Sequence, residues 1–213
     1  MNNVMDLNDC WEKLPQSFYK QADVVKIAKE LIGKILVTRF NNKLTAGRIV
    51  ETEAYNGIID KASHAYGERR TARTEIMYAN GGKAYVYLCY GIHHLFNVVT
   101  NNKNVPHAVL IRAIEPLVGI DEMLKRTRKK QLDNTLTKGP GNVSRALGIT
   151  TNYNGVALTN NIIFIAKDDY VLNEKDIIAT ARIGVNYAEE DALLPYRFIL
   201  TTSKYVSGKK IKT

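Results

Sequence analysis

The sequence predicts a single α+β domain with a curved, mostly antiparallel β-sheet flanked by helices. The chain has 213 residues, of which 45% are hydrophobic and 24% charged, an ordinary composition for one soluble domain with its own core. Segments rich in β-branched and aromatic residues, typical of strands, recur along it. The connections between these segments are of hairpin length and too short for the crossover helices of a parallel sheet.

The first predicted elements are a helix and a hairpin. Apolar residues at helical spacing predict a helix over 23–32 that ends at a glycine. Residues 35–40 and 44–55 flank the turn-like run 41–43 and predict two paired strands. Glu53 then lies near the end of the second strand.

The later elements follow from the same patterns. The polar segment 60–80 lacks a sustained apolar period and predicts a loop with some helix. The run Lys138–Gly141 lacks the spacing of a phosphate-binding loop and is interpreted as a turn that opens a helix. The remaining predictions are long strands over 83–100 and 108–114, helices over 117–130 and 140–147, and strands over 162–166, 177–185 and 197–202.

The ends of the chain predict a single domain over 1–213, with an N-terminal extension over about 1–16 and a basic tail over 208–213. Residues 1–11 lack the basic and apolar parts of an export signal, and no stretch reaches the ~18 apolar residues that span a bilayer. The two cysteines are far apart in sequence, so they predict neither a disulfide framework nor a cysteine zinc site. We therefore expect a cytoplasmic protein that does not enter a membrane.

The charge predicts a polyanionic partner. Thirty Lys and Arg residues against 21 Asp and Glu leave a net charge of +9. Such a balance is typical of proteins that bind nucleic acid or an acidic membrane surface. Charge alone does not choose between these two partners.

Two carboxylates could carry chemistry. Glu51 and Glu53 are two residues apart, which on a strand places them on one face about 6.5–7 Å apart. A carboxylate pair of this kind is found in glycosidases. The alternative is an exposed polar edge without a catalytic role.

The tyrosines of the 85–90 segment form a second candidate. Alternation along a strand places Tyr85, Tyr87 and Cys89 on one face, and Tyr90 on the other. Tyrosine rings can serve as a stacking platform for bases. Tyrosines also favour strands for packing reasons alone, so both interpretations remain open.

Isolated polar residues complete the candidates. Arg112 lies in an apolar run and needs a carboxylate or phosphate partner; a structural ion pair with Glu115 is the alternative. His64 could bind a ligand or cap a loop. His93 and His94 have no third ligand at a known spacing, so no metal site is predicted.

A series of short motifs occurs in order between about residues 17 and 207. These are ETEAY (51–55), His64, Arg69 and Arg73 with Met77, YVYLCYG (85–91), Asn97, VLIRAIEP (109–116), KGPG with RAL (138–147), ARIGV (181–185) and PYRF (195–198). Together they resemble the alkyladenine (3-methyladenine) DNA glycosylase family. The resemblance implies one mixed α/β domain without a helix-hairpin-helix.

The resemblance also implies an activity. The expected enzyme is monofunctional and excises damaged purines from duplex DNA as a step of base excision repair, without metal or organic cofactor. The expected substrates are 3-methyladenine, 7-methylguanine, hypoxanthine and ethenoadenine. We expect it to act as a monomer, because a search for single lesions does not require two-fold symmetry.

Roles in catalysis and base binding are carried over by position. Glu53 would be the general base, and Arg112 and the backbone carbonyl of Ile183 would help to hold the attacking water. The expected base pocket consists of Tyr55, His64, Tyr87 and Asn97, the last of which would screen purine edges.

Other positions imply contacts with the DNA. Tyr90 would fill the gap that the extruded base leaves, beside a wedge residue, Ile92, where the family is expected to have methionine. Arg70 stands where the family can have an uncharged residue. Phosphate contacts are expected from Arg69, Arg73 and part of the basic run 125–130, which cluster in this basic chain.

Two other functions compete with this one. A small-molecule nucleosidase or glycosidase would use Glu51 and Glu53 as an acid/base pair, but it leaves the net charge and Tyr90 unexplained. A non-enzymatic nucleic-acid-binding module would use the tyrosines for stacking only. It leaves Glu53 unexplained, since a carboxylate near phosphates opposes binding.

Overall fold

The computed structural model describes residues 11–208. Most of the expected N-terminal extension and the basic tail after 208 lie outside the described residues. The elements in chain order are β1 (Glu12–Lys13), α1 (Gln16–Tyr19), α2 (Val24–Glu30), β2 (Ile35–Phe40), β3 (Lys43–Tyr55), β4 (Lys83–Cys89), β5 (His93–Thr100), β6 (His107–Val118), α3 (Ile120–Thr127), α4 (Pro140–Leu147), β7 (Ile163–Lys167), β8 (Ile177–Thr180) and β9 (Arg197–Leu200). Short 3₁₀ turns, among them Tyr66–Glu68, Glu75–Tyr78 and Asn186–Leu193, occupy the connections.

Within residues 11–208, nine antiparallel strands form one sheet around the long strand β3. The main order is β1-β7-β2-β3-β6-β5-β4, and β9 pairs with both β3 and β8. β3 pairs with β6 on one side, and on the other side it pairs first with β2 and then with β9. The register between β3 and β6 shifts around Glu51, as at a bulge that bends a strand. The predicted α+β class with a curved antiparallel sheet is confirmed.

The core lies between the sheet and the helices. α2 packs on β3 and β6, and α4 packs on β5 and β6. Each of these elements contributes at least one side chain that is inaccessible to solvent, for example Ile27, Ile49, Phe96, Ile111 and Leu147. The helix face of β3 is therefore committed to packing, which leaves its other face for polar side chains.

Several local predictions are confirmed because their signals are local. The helix predicted over 23–32 corresponds to α2, which begins after Asp23, and the Asp23 side chain accepts from the backbone N–H of Lys26 at 2.9 Å as an N-cap. Asn41 and Asn42 have φ angles of 51° and 58°, the left-handed pair that a two-residue hairpin turn requires. Pro140 opens α4 at its first helical position.

The predicted strand over 83–100 is wrong, because it is two strands joined by a tight turn. β4 and β5 pair with each other, with Tyr85 opposite Asn97. The turn contains Tyr90 and Gly91, with φ angles of 50° and 71°, a conformation that glycine adopts readily. Tyr90 therefore lies at a hairpin tip and not on a strand face.

Two predicted boundaries are also wrong. The helix predicted from residue 117 begins at Ile120, because Val118 still pairs in the sheet and Gly119 turns the chain with a φ of 74°. The strand predicted over 177–185 ends at Thr180. Beyond it the Arg182 side chain turns inward and is buried. None of the helices formed by residues 11–208 is long and apolar enough to cross a membrane.

Candidate active site

Glu53 lies at the centre of the sheet with its carboxylate buried. It pairs across with Leu110 on β6 and with Arg197 on β9, and none of its surface is exposed. Its Oε1 accepts the backbone N–H of Ile183 at 2.7 Å, and its Oε2 accepts the Tyr55 hydroxyl at 2.9 Å and Nη1 of Arg112 at 3.2 Å. Three donors thus compensate the cost of burying this carboxylate.

The Tyr55 hydroxyl stays protonated and donates a hydrogen bond to Glu53. Burial raises the pKa of Tyr55 well above its usual value, and the negative charge of Glu53 raises it further. The phenol therefore keeps its proton at neutral pH, and its oxygen donates to the carboxylate. Tyr55 also borders a cavity, so it connects the carboxylate to that cavity.

Arg112 joins the two carboxylates of β3. It is 7% exposed. Its Nε donates to Glu51 at 2.8 Å, its Nη1 to Glu53 at 3.2 Å and its Nη2 to the hydroxyl of Ser207 at 3.2 Å. The alternative prediction, an ion pair between Arg112 and Glu115, is wrong. Glu115 lies opposite Arg48, farther along β3.

Glu51 is buried and holds the segment around Ser207 in place. The interpretation as an exposed edge is wrong, since Glu51 has no exposed surface. Its carboxylate accepts from Arg112, from Nε of Arg197 at 2.7 Å, and from both the hydroxyl and the N–H of Ser207 at 2.8 and 2.6 Å. Burial raises its pKa, but Arg112 and Arg197 outweigh that effect and the net pKa is lowered.

Ile183 presents its N–H to Glu53, whereas the expected role concerned its carbonyl. The residue before it, Arg182, is anchored by a buried ion pair with Asp60, with Nη2 2.8 Å from Oδ1. Arg182 also donates to the carbonyl of Ala54 at 2.9 Å and lies 5.0 Å from the centre of the Tyr55 ring. The ion pair between Arg182 and Asp60 thus fixes the backbone next to Ile183, whose N–H donates to Glu53. The water-holding role of the Ile183 carbonyl stays a prediction.

An aromatic cavity of about 40 Å³ lies beside Tyr55. It contains all four residues predicted for the base pocket. The lining consists of Tyr55, Ala62, His64, Met77, Tyr85, Tyr87, Asn97, Ala108 and Tyr187. None of these lining residues is a lysine, an arginine, an aspartate or a glutamate.

His64 is held as a neutral side chain in this cavity. Burial and, to a smaller extent, the positive charges of Arg73 and Arg69 lower its pKa to about 4. Nη2 of Arg73 lies 3.2 Å from Nε2 of His64, and the Tyr85 hydroxyl lies 2.8 Å from Nδ1. Because a guanidinium only donates, Nε2 accepts and Nδ1 carries the proton.

The His64 ring packs edge to face against the tyrosine rings of this cavity. His64 stands 4.7 Å from the Tyr87 ring centre at an angle of 74°. Asn97 is buried, and its amide donates to the carbonyl of Tyr85 at 3.1 Å. The walls on β4 and β5 are therefore fixed by hydrogen bonds as well as by packing.

The predicted DNA contacts lie on the surface. Tyr90 is 91% exposed and Ile92 67% exposed at the β4–β5 tip. Arg69 and Arg73 are exposed, and the guanidinium of Arg73 lies 4.8 Å from the Tyr87 ring centre. Arg70 is committed elsewhere, because it pairs with Glu75 at 2.6 Å.

The basic run 125–130 is only partly available. Arg126 pairs with Glu122 at 3.1 Å and Lys129 with Asp133 at 3.2 Å. Three exposed cations of the run remain, Lys125, Arg128 and Lys130. Within residues 11–208 no group of three or more His, Cys, Asp or Glu side chains could hold a metal ion.

Several residues that build this site were not given a role from the sequence, namely Asp60, Arg182, Arg197, Ser207 and Tyr187. Arg197 is a charged residue that opens an apolar strand, the same signal that singled out Arg112, and it was overlooked inside its motif. Ser207 and Tyr187 carry no such signal, since a serine near the end of the chain and an isolated tyrosine are ordinary surface residues.

Comparison with known proteins shows which family the chain resembles. A family model for methylpurine-DNA glycosylase (MPG) matches residues 17–204. A Chlamydia felis (strain Fe/C-56) protein named as a 3-methyladenine DNA glycosylase is 49% identical over 199 residues, which cover 93% of this chain and all of that protein. Proteins of the same name from Clostridium novyi (strain NT) and Bacillus cereus (strain G9842) are 43% and 45% identical over 205 and 204 residues, covering 93% and 92% of this chain and 100% and 98% of their own.

Both kinds of match point to one class of protein, the DNA glycosylases. The chain belongs to the methylpurine-DNA glycosylase family. The resemblance inferred from the motifs is thereby confirmed.

Proposed function

We propose that this protein extrudes alkylated or deaminated purines from duplex DNA and hydrolyses their glycosidic bonds, leaving an abasic site. The observation that carries the proposal is the buried Glu53 carboxylate, held by three donors and connected through Tyr55 to an aromatic cavity. The proposed substrates are 3-methyladenine, 7-methylguanine, hypoxanthine and ethenoadenine. The protein would act as a monomer.

Glu53 has the position of a general base. Loss of the base gives the sugar an oxocarbenium character, so a carboxylate near the reacting carbon can both deprotonate water and stabilise the positive charge. Arg112 and the Ile183 backbone hold that carboxylate in place. Alkylation at N3 or N7 already makes the purine a good leaving group, so a second carboxylate acting as an acid is not required.

The cavity suits cationic and neutral purines alike. Tyrosine faces attract the positive charge of an alkylated purine through cation–π interactions, and they also stack on neutral hypoxanthine. A neutral His64 adds no repulsion, because its pKa is lowered to about 4. Asn97 is fixed against the wall, where it can screen the edges of the base.

The base must leave the helical stack before it can reach Glu53, at a cost of a few kcal/mol. Tyr90 and Ile92 form an apolar tip that can enter the space it vacates. The exposed cations Arg69, Lys125, Arg128 and Lys130 can bind phosphates without regard to sequence.

The competing glycosidase mechanism fits this site poorly. It needs Glu51 as a proton donor, but the pKa of Glu51 is lowered by two arginines after the opposing effect of burial. An ionised Glu51 that accepts four hydrogen bonds has no proton to give to a leaving group.

The test is incubation of the protein with methylated duplex DNA and, separately, with the corresponding free methylated nucleosides. We expect free 3-methyladenine from the duplex only. Release from nucleosides alone would favour a small-molecule nucleosidase, and binding without release would favour a stacking module. No lysine lines the cavity within the described residues, so covalent trapping on DNA by borohydride is not expected.

A further inference from the structure

The aromatic cavity is too small for a purine as it stands. Its volume is about 40 Å³, whereas a cavity that binds benzene, a molecule with one ring, measures about 150 Å³. A purine has two fused rings and needs still more room. At least one wall must move before a base can enter.

Most of the walls are fixed by the sheet. Tyr55, Tyr85, Tyr87 and Asn97 project from strands β3, β4 and β5. Tyr85 and Asn97 also take part in the hydrogen bonds that tie these strands and His64 together. The pairing of the sheet fixes the backbones of these residues, and the hydrogen bonds of Tyr85 and Asn97 hold two of the four side chains as well.

Tyr187 comes from the 3₁₀ segment Asn186–Leu193 and not from a strand. Met77 also lines the cavity from a 3₁₀ segment, but it is buried. The Tyr187 ring borders the cavity although 66% of the residue is exposed. Its hydroxyl donates a single hydrogen bond, to the carbonyl of Ala62 at 3.2 Å. A ring held in this way can swing outward without disturbing the core.

The segment that carries Tyr187 is anchored on both sides of Glu189. Ala188 is fully buried, and the carbonyl of Asp191 accepts from Nη2 of Arg182 at 3.1 Å. Glu189 itself has φ 53° and ψ −127°, outside the regions that a residue with a side chain favours. The backbone of this segment is therefore held in place, and the part that can move is the exposed Tyr187 ring.

We propose that Tyr187 determines which bases the cavity accepts. Its ring is the movable wall, which is displaced when a purine enters, and its bulk disfavours purines with an additional ring over small ones. The inference rests on the proposed function and deepens it by assigning size discrimination to one side chain.

The experiment is single-turnover excision of ethenoadenine and of hypoxanthine from otherwise identical duplexes. Wild-type protein is compared with Tyr187→Ala, Tyr187→Trp and Tyr187→Phe. We expect the ratio of ethenoadenine to hypoxanthine excision to rise about tenfold in Tyr187→Ala and to fall about tenfold in Tyr187→Trp, a range typical of pocket-size discrimination. Tyr187→Phe keeps the ring and should keep the ratio.

The matched control is Tyr170→Ala. Tyr170 is also about half exposed, at 45%, but it packs against Arg48 and does not line the cavity. Its replacement should leave the ratio unchanged. Because Tyr187 is on the surface, its variants should fold, and the two size changes act in opposite directions.

An unchanged ratio in both Tyr187→Ala and Tyr187→Trp, with wild-type protein active on both bases, would overturn this inference alone. A ratio that shifts in the same direction in both variants would overturn it as well. Failure of the wild-type protein to excise either base would overturn the proposed function, and this inference with it.

Discussion

The Tyr55 hydroxyl donates to the Glu53 carboxylate at 2.9 Å, although the two residues lie only two positions apart on the same strand. Tyr55 thereby has two tasks, since its ring borders the aromatic cavity and its hydroxyl orients the carboxylate. A base stacked on this ring would be held at a defined distance from the Glu53 carboxylate.

Tyr55→Phe tests this relationship. The variant keeps the ring and removes one of the three donors to Glu53, so base binding should be retained and single-turnover excision of hypoxanthine should fall about tenfold or more, as for the loss of a hydrogen bond to a charged group. The matched control is Tyr19→Phe. Tyr19 is buried, and its hydroxyl has no hydrogen-bond partner among the described residues, so this change should not lower excision. Equal rates for both variants would show that Tyr55 acts by its ring alone.

Glu51→Gln should reduce stability more than chemistry. It removes the negative partner of Arg112 and Arg197, and breaking a buried ion pair costs about 3–5 kcal/mol. The lowered pKa of Glu51 contributes stability that is fully present above the usual carboxyl pKa and is lost as the pH falls through the lowered one. Urea unfolding at pH 7 and pH 4 should therefore show a large deficit for the variant at pH 7 and a smaller one at pH 4. A variant as stable as wild type but inactive would contradict the anchoring role.

His64 should make the protein sensitive to acid in a particular range. The unfolded chain binds a proton at this histidine near pH 6.5, whereas the folded protein binds it at about pH 4, because of burial and of Arg73 and Arg69. The resulting stability is present above pH 6.5 and is lost as the pH falls toward 4, by about 2 kcal/mol at pH 4.5. Urea unfolding between pH 7 and 4.5 should show this loss in wild type and not in His64→Gln. Parallel pH profiles for the two proteins would exclude it.

The arginines that follow His64 should differ in their contribution to DNA binding. Arg69 is exposed, whereas Arg70 is paired with Glu75. Arg69→Gln should lower the slope of log affinity against log salt on undamaged duplex by about 0.9, the value for one phosphate contact. Arg70→Gln, the matched control, should leave the slope unchanged. A wild-type slope near zero would remove the case for phosphate binding altogether.

The extent to which the sequence predicted the site depends on how local each signal is. The start of α4 and the asparagine turn after β2 depend on a few neighbouring residues, and both were predicted. A charge in an apolar strand showed that Arg112 needs a partner. The choice of Glu51 and Glu53 over Glu115 depends on the register between β3 and β6, which no local pattern contains.

Two other features were hidden for physical reasons. The alternation of tyrosines continues into the β4–β5 turn, so the break at Tyr90 is not visible in the hydrophobic period. Tyr187 reaches the cavity from a short 3₁₀ segment. It lies close to Ala62, although more than a hundred residues separate the two in sequence. Tertiary placement of this kind leaves no periodic trace in a single sequence.

We expect the charge of Glu53 to be required for excision of the base and not for binding of the lesion DNA. Glu53→Gln preserves the shape of the side chain and an oxygen that can accept from Tyr55, but it removes the base and the negative charge near the sugar. Because a carboxylate repels phosphates in the ground state and is compensated only when the sugar becomes cationic, affinity for lesion DNA should persist or increase slightly.

The most direct measurement is single-turnover excision of hypoxanthine from duplex DNA by Glu53→Gln, with lesion-DNA affinity measured in parallel and Glu51→Gln compared per folded molecule. For Glu53→Gln we expect the rate to fall by at least about 10²–10⁴ and the affinity to remain that of the wild type. For Glu51→Gln we expect a much smaller loss of rate. Excision by Glu53→Gln near the wild-type rate would contradict the role of Glu53 as general base, and equal losses in the two variants would favour a mechanism that uses both carboxylates.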